Sequence, residues 1–189
     1  SPSASLGNLV DAMDALSKDD LDAYLKNGPA NHGMSEAMFA TPKGIADLAV
    51  AILDIHSDDK VVDFGCGRGT FLETAAEKCP DATLAGVDIN RDALSIAKMR
   101  SNASGSSVTY VHEDMFRFYE DVVSGEPVDK AFSNYPWGMR TLTLPQSTEY
   151  VGRVMRGQER YSRPNSSDWV YNRLLVDSLS ENGIAVAIM

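Results

Sequence analysis

The stretch Val61-Val62-Asp63-Phe64-Gly65-Cys66-Gly67-Arg68-Gly69-Thr70-Phe71-Leu72 decides how the chain reads. A short apolar run ends in an acid and three alternating glycines, and a helix-like segment follows. Glycines placed there let the backbone turn sharply and let a ligand approach the main chain closely. No Gly-Lys-Ser or Gly-Lys-Thr follows, so this is not a phosphate loop. Asp63, just before the glycines, suits a ligand that carries a positive amino group. Many nucleotide binders share such a glycine pattern, so its surroundings must sharpen it.

Working outward, strand-like and helix-like segments alternate. Strands are predicted at Val61–Phe64, Leu84–Ile89, Val108–His112, Val128–Ser133 and Gly183–Met189. Helices are predicted at Phe71–Lys78, Ala93–Arg100, Met115–Val123 and Trp169–Leu179. Such alternation implies parallel pairing through crossovers, so the fold class is α/β, a doubly wound and mainly parallel sheet. Residues 38–189 form that domain. Residues 1–37 form an N-terminal helical segment, with Leu6, Leu9, Val10, Met13 and Leu16, then Leu21, Tyr24 and Leu25, at helical spacing. Thr41-Pro42 opens a further helix, with Thr41 as N-cap and Pro42 at the first helical position. Its apolar face is read as Ile45, Leu48, Ala49, Ile52 and Leu53. From Arg140 to Ser167 no periodicity is visible, and loops of that length are usually functional or mobile. The chain stops on an apolar strand, which reads as a fragment whose final strands are missing at the C-terminus.

Composition narrows the class. Of 189 residues, 43% are hydrophobic and 23% charged, which suits a soluble globular domain. No apolar run approaches the roughly 20 residues that cross a bilayer, and no secretory signal opens the chain. Only Cys66 and Cys79 occur, so neither a disulfide nor a zinc framework is expected, and a reducing cytoplasm fits. His32, His56 and His112 show no metal or triad spacing and are read as structural; no metal is expected. The net charge of −10 counts against a free-standing nucleic-acid binder. Arg140, Arg153, Arg156, Arg160 and Arg163, however, share a stretch whose only acids are Glu149 and Glu159. That stretch is either a solvated loop or a phosphate-facing one on a subunit whose partner supplies the rest of the DNA grip.

Three further places carry chemistry. Asp88, at the end of the second strand, can accept two ribose hydroxyl hydrogens; alone, it would read as a helix cap or a solvated acid. Asp114, after the third strand, can accept from an adenine amino group with Met115 against the ring, or cap the next helix, and the two roles are compatible. Asn134-Tyr135-Pro136-Trp137 ends the fourth strand. The lone pair of an aromatic amine is delocalised into its ring, and two oxygen acceptors would pull the nitrogen toward tetrahedral geometry. The Asn134 side chain and the Tyr135 carbonyl could be that pair, Trp137 could stack on a base taken out of the duplex, and Pro136 would stiffen the loop. The plain alternative is an Asn-x-Pro turn beside a core Trp.

On these residues the chain resembles the modification subunit of type I restriction–modification systems, an N6-adenine DNA methyltransferase family with a Rossmann-like fold. The resemblance runs from about Met38 to the last residue. Phe39-Ala40-Thr41-Pro42 resembles the family's N-terminal cofactor motif, and Asp63 through Gly69, with Gly65 and Gly67, its glycine motif. Asp88, with Ile89 beside it, and Asp114, with Met115, match its ribose and adenine contacts. Asn134 to Trp137 matches its catalytic Asn-Pro-Pro-aromatic loop, and Asp168-Trp169 onward a later helix and strand. The resemblance implies S-adenosyl-L-methionine as cofactor, double-stranded DNA as substrate, and specificity and restriction subunits as partners. Two positions depart from the pattern: Phe64 replaces a common Pro, and Tyr135 replaces the first Pro of the catalytic loop, which keeps the carbonyl but frees one φ angle. Similar loops serve methylation of RNA bases and of protein glutamine amides. A non-catalytic assembly module is the third reading.

Overall fold

The computed structural model of the chain describes residues 40–136, 148–156 and 167–189. The elements run α1 (Lys43–Leu53), β1 (Lys60–Phe64), α2 (Thr70–Lys78), β2 (Thr83–Asp88), α3 (Arg91–Ser104), β3 (Val108–His112), α4 (Met115–Phe118), a π-helical turn (Tyr119–Val123), β4 (Val128–Ser133), α5 (Glu149–Met155), α6 (Asp168–Asp177) and β5 (Leu179–Ala187). The strands lie in the order β3-β2-β1-β4-β5, and every neighbouring pair is parallel. From β1 the chain steps outward to β3, then returns to the other side of β1 with β4. That reversal leaves a crevice outside the carboxyl ends of β1 and β4, where sheets of this kind hold ligands. In register, Asp63 stands opposite Gly86 on one side and Phe132 on the other.

Strand alternation divides the core. Val61 faces the cluster formed with α1, α2 and α3, which includes Ala46, Ala49, Leu53, Phe71, Leu72, Leu94 and Phe132. Val62 and Phe64 face the opposite cluster, with Phe116, Tyr150, Val170, Tyr171 and Leu174 from α4, α5 and α6. Phe71 stacks on Phe132 with centroids 4.1 Å apart, a pairing that adds about 0.5–1.5 kcal/mol to burial. Lys43 ties α1 to α2 through Thr74 Oγ1 at 3.1 Å and Glu77 at 3.2 Å. Among the described residues, no helix is long and apolar enough to cross a membrane.

Four expectations change. The buried face of α1 is Ala46, Ala49, Val50 and Leu53, while Ile45, Leu48 and Ile52 are exposed. Ala49 and Leu53 are buried as expected, but the three other large residues mark a neighbouring stripe, because the helix turns Ala46 inward beside Ala49 and alanine lets two helices approach closely. Thr41 is not the N-cap: that position is Pro42, with no side-chain cap bond, and the Thr41 hydroxyl is used elsewhere. The aperiodic stretch contains α5, capped by the Thr148 side chain accepting from the Val151 amide. Seven residues span too few turns for a period to stand out. Finally, β5 begins at Leu179, ahead of the predicted Gly183. Its register with β4 jumps from Val128↔Leu179 to Lys130↔Ile184, so the even ladder begins where the sequence placed the strand. The turn-forming Ser180-Glu181-Asn182-Gly183 hides the earlier start.

Candidate active site

The glycine loop closes on the tip of β2. Gly65, Gly67 and Gly69 all have positive φ, at 81°, 52° and 78°, a region that side chains with a Cβ rarely enter. The Gly65 and Cys66 amides donate to the Val87 carbonyl at 2.8 and 3.0 Å. The Gly67 amide donates to Asp88 Oδ2 at 2.7 Å, and the Asn90 amide donates to Asp88 Oδ1 at 2.7 Å. Beneath the loop, a Cβ on Gly86 would lie 2.5 Å from Leu72 Cδ1 and 2.8 Å from Cys66 Sγ. Met115 reaches over the loop: a Cβ on Gly65 would meet its Cε at 3.3 Å.

Asp63 is 2% exposed, and its Oδ1 has no hydrogen-bond partner among the described residues. Burial first, and the neighbouring Asp88 second, push its carboxyl well above the usual carboxylate range. The same burial raises the Cys66 thiol, with both acids adding to it, so this cysteine stays neutral and inert. Ile89 is 72% exposed beside Asp88, and its carbonyl pairs with His112 Nε2 at 3.0 Å. Asp114 does cap α4: its Oδ1 accepts from the Phe116 amide at 2.9 Å and the Arg117 amide at 3.3 Å.

Beyond β4 the chain is pinned in three ways. The Ser133 hydroxyl donates to the Phe64 carbonyl, joining the tips of β4 and β1. Asn134 is buried, and its Nδ2 donates to Thr41 Oγ1 at 3.3 Å. Tyr135 is fully buried, stacks on Tyr171 at 4.7 Å and 11°, and donates its hydroxyl to Asn172 Oδ1 at 3.2 Å. Pro136 is half-buried. Phe39 and Trp137 lie outside the described residues, as do Arg140, Arg160, Arg163, His32 and the N-terminal helices. Arg153 lies over the Tyr150 ring at 5.4 Å.

The structure thus joins Asp63, the glycines, Asp88 and Met115 into one wall, and brings Thr41 to Asn134 across 93 positions of sequence. Pro42 is exposed and stands at the N-cap of α1. Sequence reasoning missed Ser133, Gly86, Tyr171 and Asn172. Gly86 was the readable one, since a glycine inside a strand marks a close approach.

A parallel sheet of this order, with a glycine loop after its central strand and acids at the tips of the next two, defines the Rossmann-like class of S-adenosylmethionine-dependent methyltransferases. The chain belongs to the methyltransferase-domain family, whose sequence profile matches residues 55–167. A Listeria monocytogenes protein assigned to the class I S-adenosylmethionine-dependent methyltransferases superposes with a TM-score of 0.67 at 16% identity, over 93% of this chain and 55% of that one. A modification subunit assigned to a type I restriction enzyme of Vibrio vulnificus YJ016 gives 0.61 at 15% identity, over 98% and 40%. A methyltransferase of Thiobacillus denitrificans in complex with S-adenosyl-L-homocysteine gives 0.53 at 23%, over 84% and 54%. These three likenesses are of fold. In sequence, the release factor glutamine methyltransferase of Chlorobaculum tepidum is 32% identical over 93 residues, 48% of this chain and 31% of that protein. The match spans about a third of that relative's length.

The cofactor of this fold is S-adenosylmethionine, and the residues present fit it. A buried acid oxygen with no donor among the described residues, on Asp63, suits an ammonium group. The Asp88 carboxylate sits at a strand tip, and each oxygen that accepts one amide has a second lone pair for a hydroxyl. An exposed Ile89 and a Met115 lying over the loop offer apolar surface to a planar ring.

Proposed function

We propose that the chain transfers the methyl group of S-adenosylmethionine to the exocyclic N6 amino group of adenine in double-stranded DNA, as the modification part of a restriction–modification system. The observation that carries this reading is Asn134, held at the carboxyl end of β4 beside the glycine loop by Thr41. When bound, the cofactor supplies an electrophilic methyl group on a sulfonium. Asp63 pairs with its ammonium, Asp88 with its ribose, and Asp114 with Met115 and Ile89 surrounds its adenine. The Thr41 hydroxyl takes the donor end of the Asn134 amide, so the oxygen end is the one offered to the acceptor amine. Together with the Tyr135 carbonyl it draws the amine out of conjugation, and fixed dipoles do this without reorganising during the reaction. Pro136 stiffens the turn, and Trp137 stacks on the extruded base. The arginine-rich stretch and the likeness of Asn134–Trp137 to modification subunits support DNA as acceptor, with specificity and restriction subunits as partners.

The decisive variant is Asn134→Ala. Cofactor affinity by calorimetry is expected to stay near wild type, while methyl transfer falls about a hundredfold or more. Turnover close to wild type would overturn the role of Asn134.

A second reading takes a protein glutamine amide as acceptor, and the identity with a release factor glutamine methyltransferase favours it. A planar amide nitrogen presents the same delocalised lone pair. Methyl incorporation measured in parallel on duplex DNA, RNA and glutamine peptides, with the partner subunits present, separates them. Incorporation into DNA is expected; labelling confined to the peptide would establish the amide.

A further inference from the structure

We infer that Tyr135, Tyr171 and Asn172 form a clamp that holds the main chain at Asn134–Tyr135, which makes the Tyr135 side chain a positioning residue and α6 part of the acceptor site. This rests on the role given to Asn134 above.

The β4 ladder ends at Ser133, whose carbonyl accepts from the Ile188 amide at 3.0 Å. From Asn134 onward the strand no longer fixes the backbone, yet two oxygens there must stay in place. The Tyr135 ring is fully buried and nearly coplanar with Tyr171. Tyr171 stacks in turn on Phe116, with centroids 5.4 Å apart, and the Phe116 amide is one of the two that Asp114 caps. Three rings therefore run from the acceptor loop to the start of α4, next to Met115. A column of this kind ties the loop to the wall that would hold the cofactor base. The hydroxyl adds direction. A phenylalanine would bury the same ring, but the bond to Asn172 Oδ1 adds a directional restraint on its place against Tyr171. Asn172 is itself oriented, its Nδ2 lying 3.3 Å from Met189 Sδ.

The test uses Tyr135→Phe, Asn172→Ala and the double variant, each in the full chain. Amide hydrogen exchange at Asn134 and Tyr135 is expected to quicken by roughly three- to tenfold in each single variant. The double variant should be no faster than either, because all three lose one bond. kcat should fall in both single variants, while KM for the acceptor and the affinity for S-adenosylhomocysteine hold. Unchanged exchange in the single variants, additive effects in the double, or quickened exchange with kcat intact would each overturn the clamp. The exchange measurement needs no acceptor. If Asn134→Ala were to turn over normally, the catalytic reading would fall while exchange still decided whether the clamp exists.

Discussion

A carboxyl group buried beside another acid holds its proton, and Asp63 is in that situation. An ammonium group placed against it reverses the balance, because an opposite charge favours the ionised form. Cofactor binding is therefore expected to release a proton at pH between the carboxyl's lower value in the complex and its raised value in the free chain, and affinity should climb with pH across that window. Calorimetry in two buffers of different ionisation enthalpy would read the proton directly; its absence would place the ammonium elsewhere. Stability has the opposite dependence. The folded chain binds this proton more tightly than the unfolded one, so the contribution is full at low pH and is lost as pH rises from the ordinary carboxylate range through the raised value. Asp63→Asn should melt no lower than wild type at neutral pH while binding cofactor more weakly. At this scale the sequence was most informative where chemistry is local. Asp63, Asp88 and Asn134 could be singled out because each lies within one residue of the carboxyl end of a strand. The Thr41 contact with Asn134 could not, since nothing in either residue names a partner so far along the chain.

Elements were legible where packing follows the period and obscure where it follows size. The strands β1, β3 and β4 and the helix α2 lie within one residue of their predicted limits, because apolar runs bounded by glycine or acid leave little choice. For α1 the sequence places Ala49 and Leu53 on the inner face correctly but adds Ile45, Leu48 and Ile52, as bulk is a poor guide when alanines make the contact. The β2 strand offers the sharpest test of close packing. Gly86→Ala would push its methyl into Leu72 and Cys66, and Cys66 Cβ, 2.9 Å away, can withdraw only if the glycine loop moves. A loss of about 1–3 kcal/mol is expected, visible as a lower thermal midpoint and weaker cofactor binding together. An unchanged midpoint would mean that the loop has room that the geometry denies.

For the whole molecule, the doubly wound topology followed from the order of elements alone, and with it the position of the crevice between β1 and β4. Charge speaks at this scale too. A chain of net −10 repels a polyanion at long range. By itself it is expected to hold duplex DNA poorly at physiological salt, as fluorescence anisotropy would show, and to gain affinity only with a basic partner. Tight, salt-sensitive binding by the chain alone would contradict the idea of a shared DNA grip. S-adenosylhomocysteine should bind equally well at low and at physiological salt.

The two amides that close on the Asp88 carboxylate make this residue a hinge pin as well as a prospective sugar acceptor. Replacing it with alanine would untie Gly67 from the tip of β2 before any ligand arrives. Free methionine, which carries no sugar, should then bind more weakly as well. The share that truly belongs to the ribose is what remains after that common penalty is subtracted.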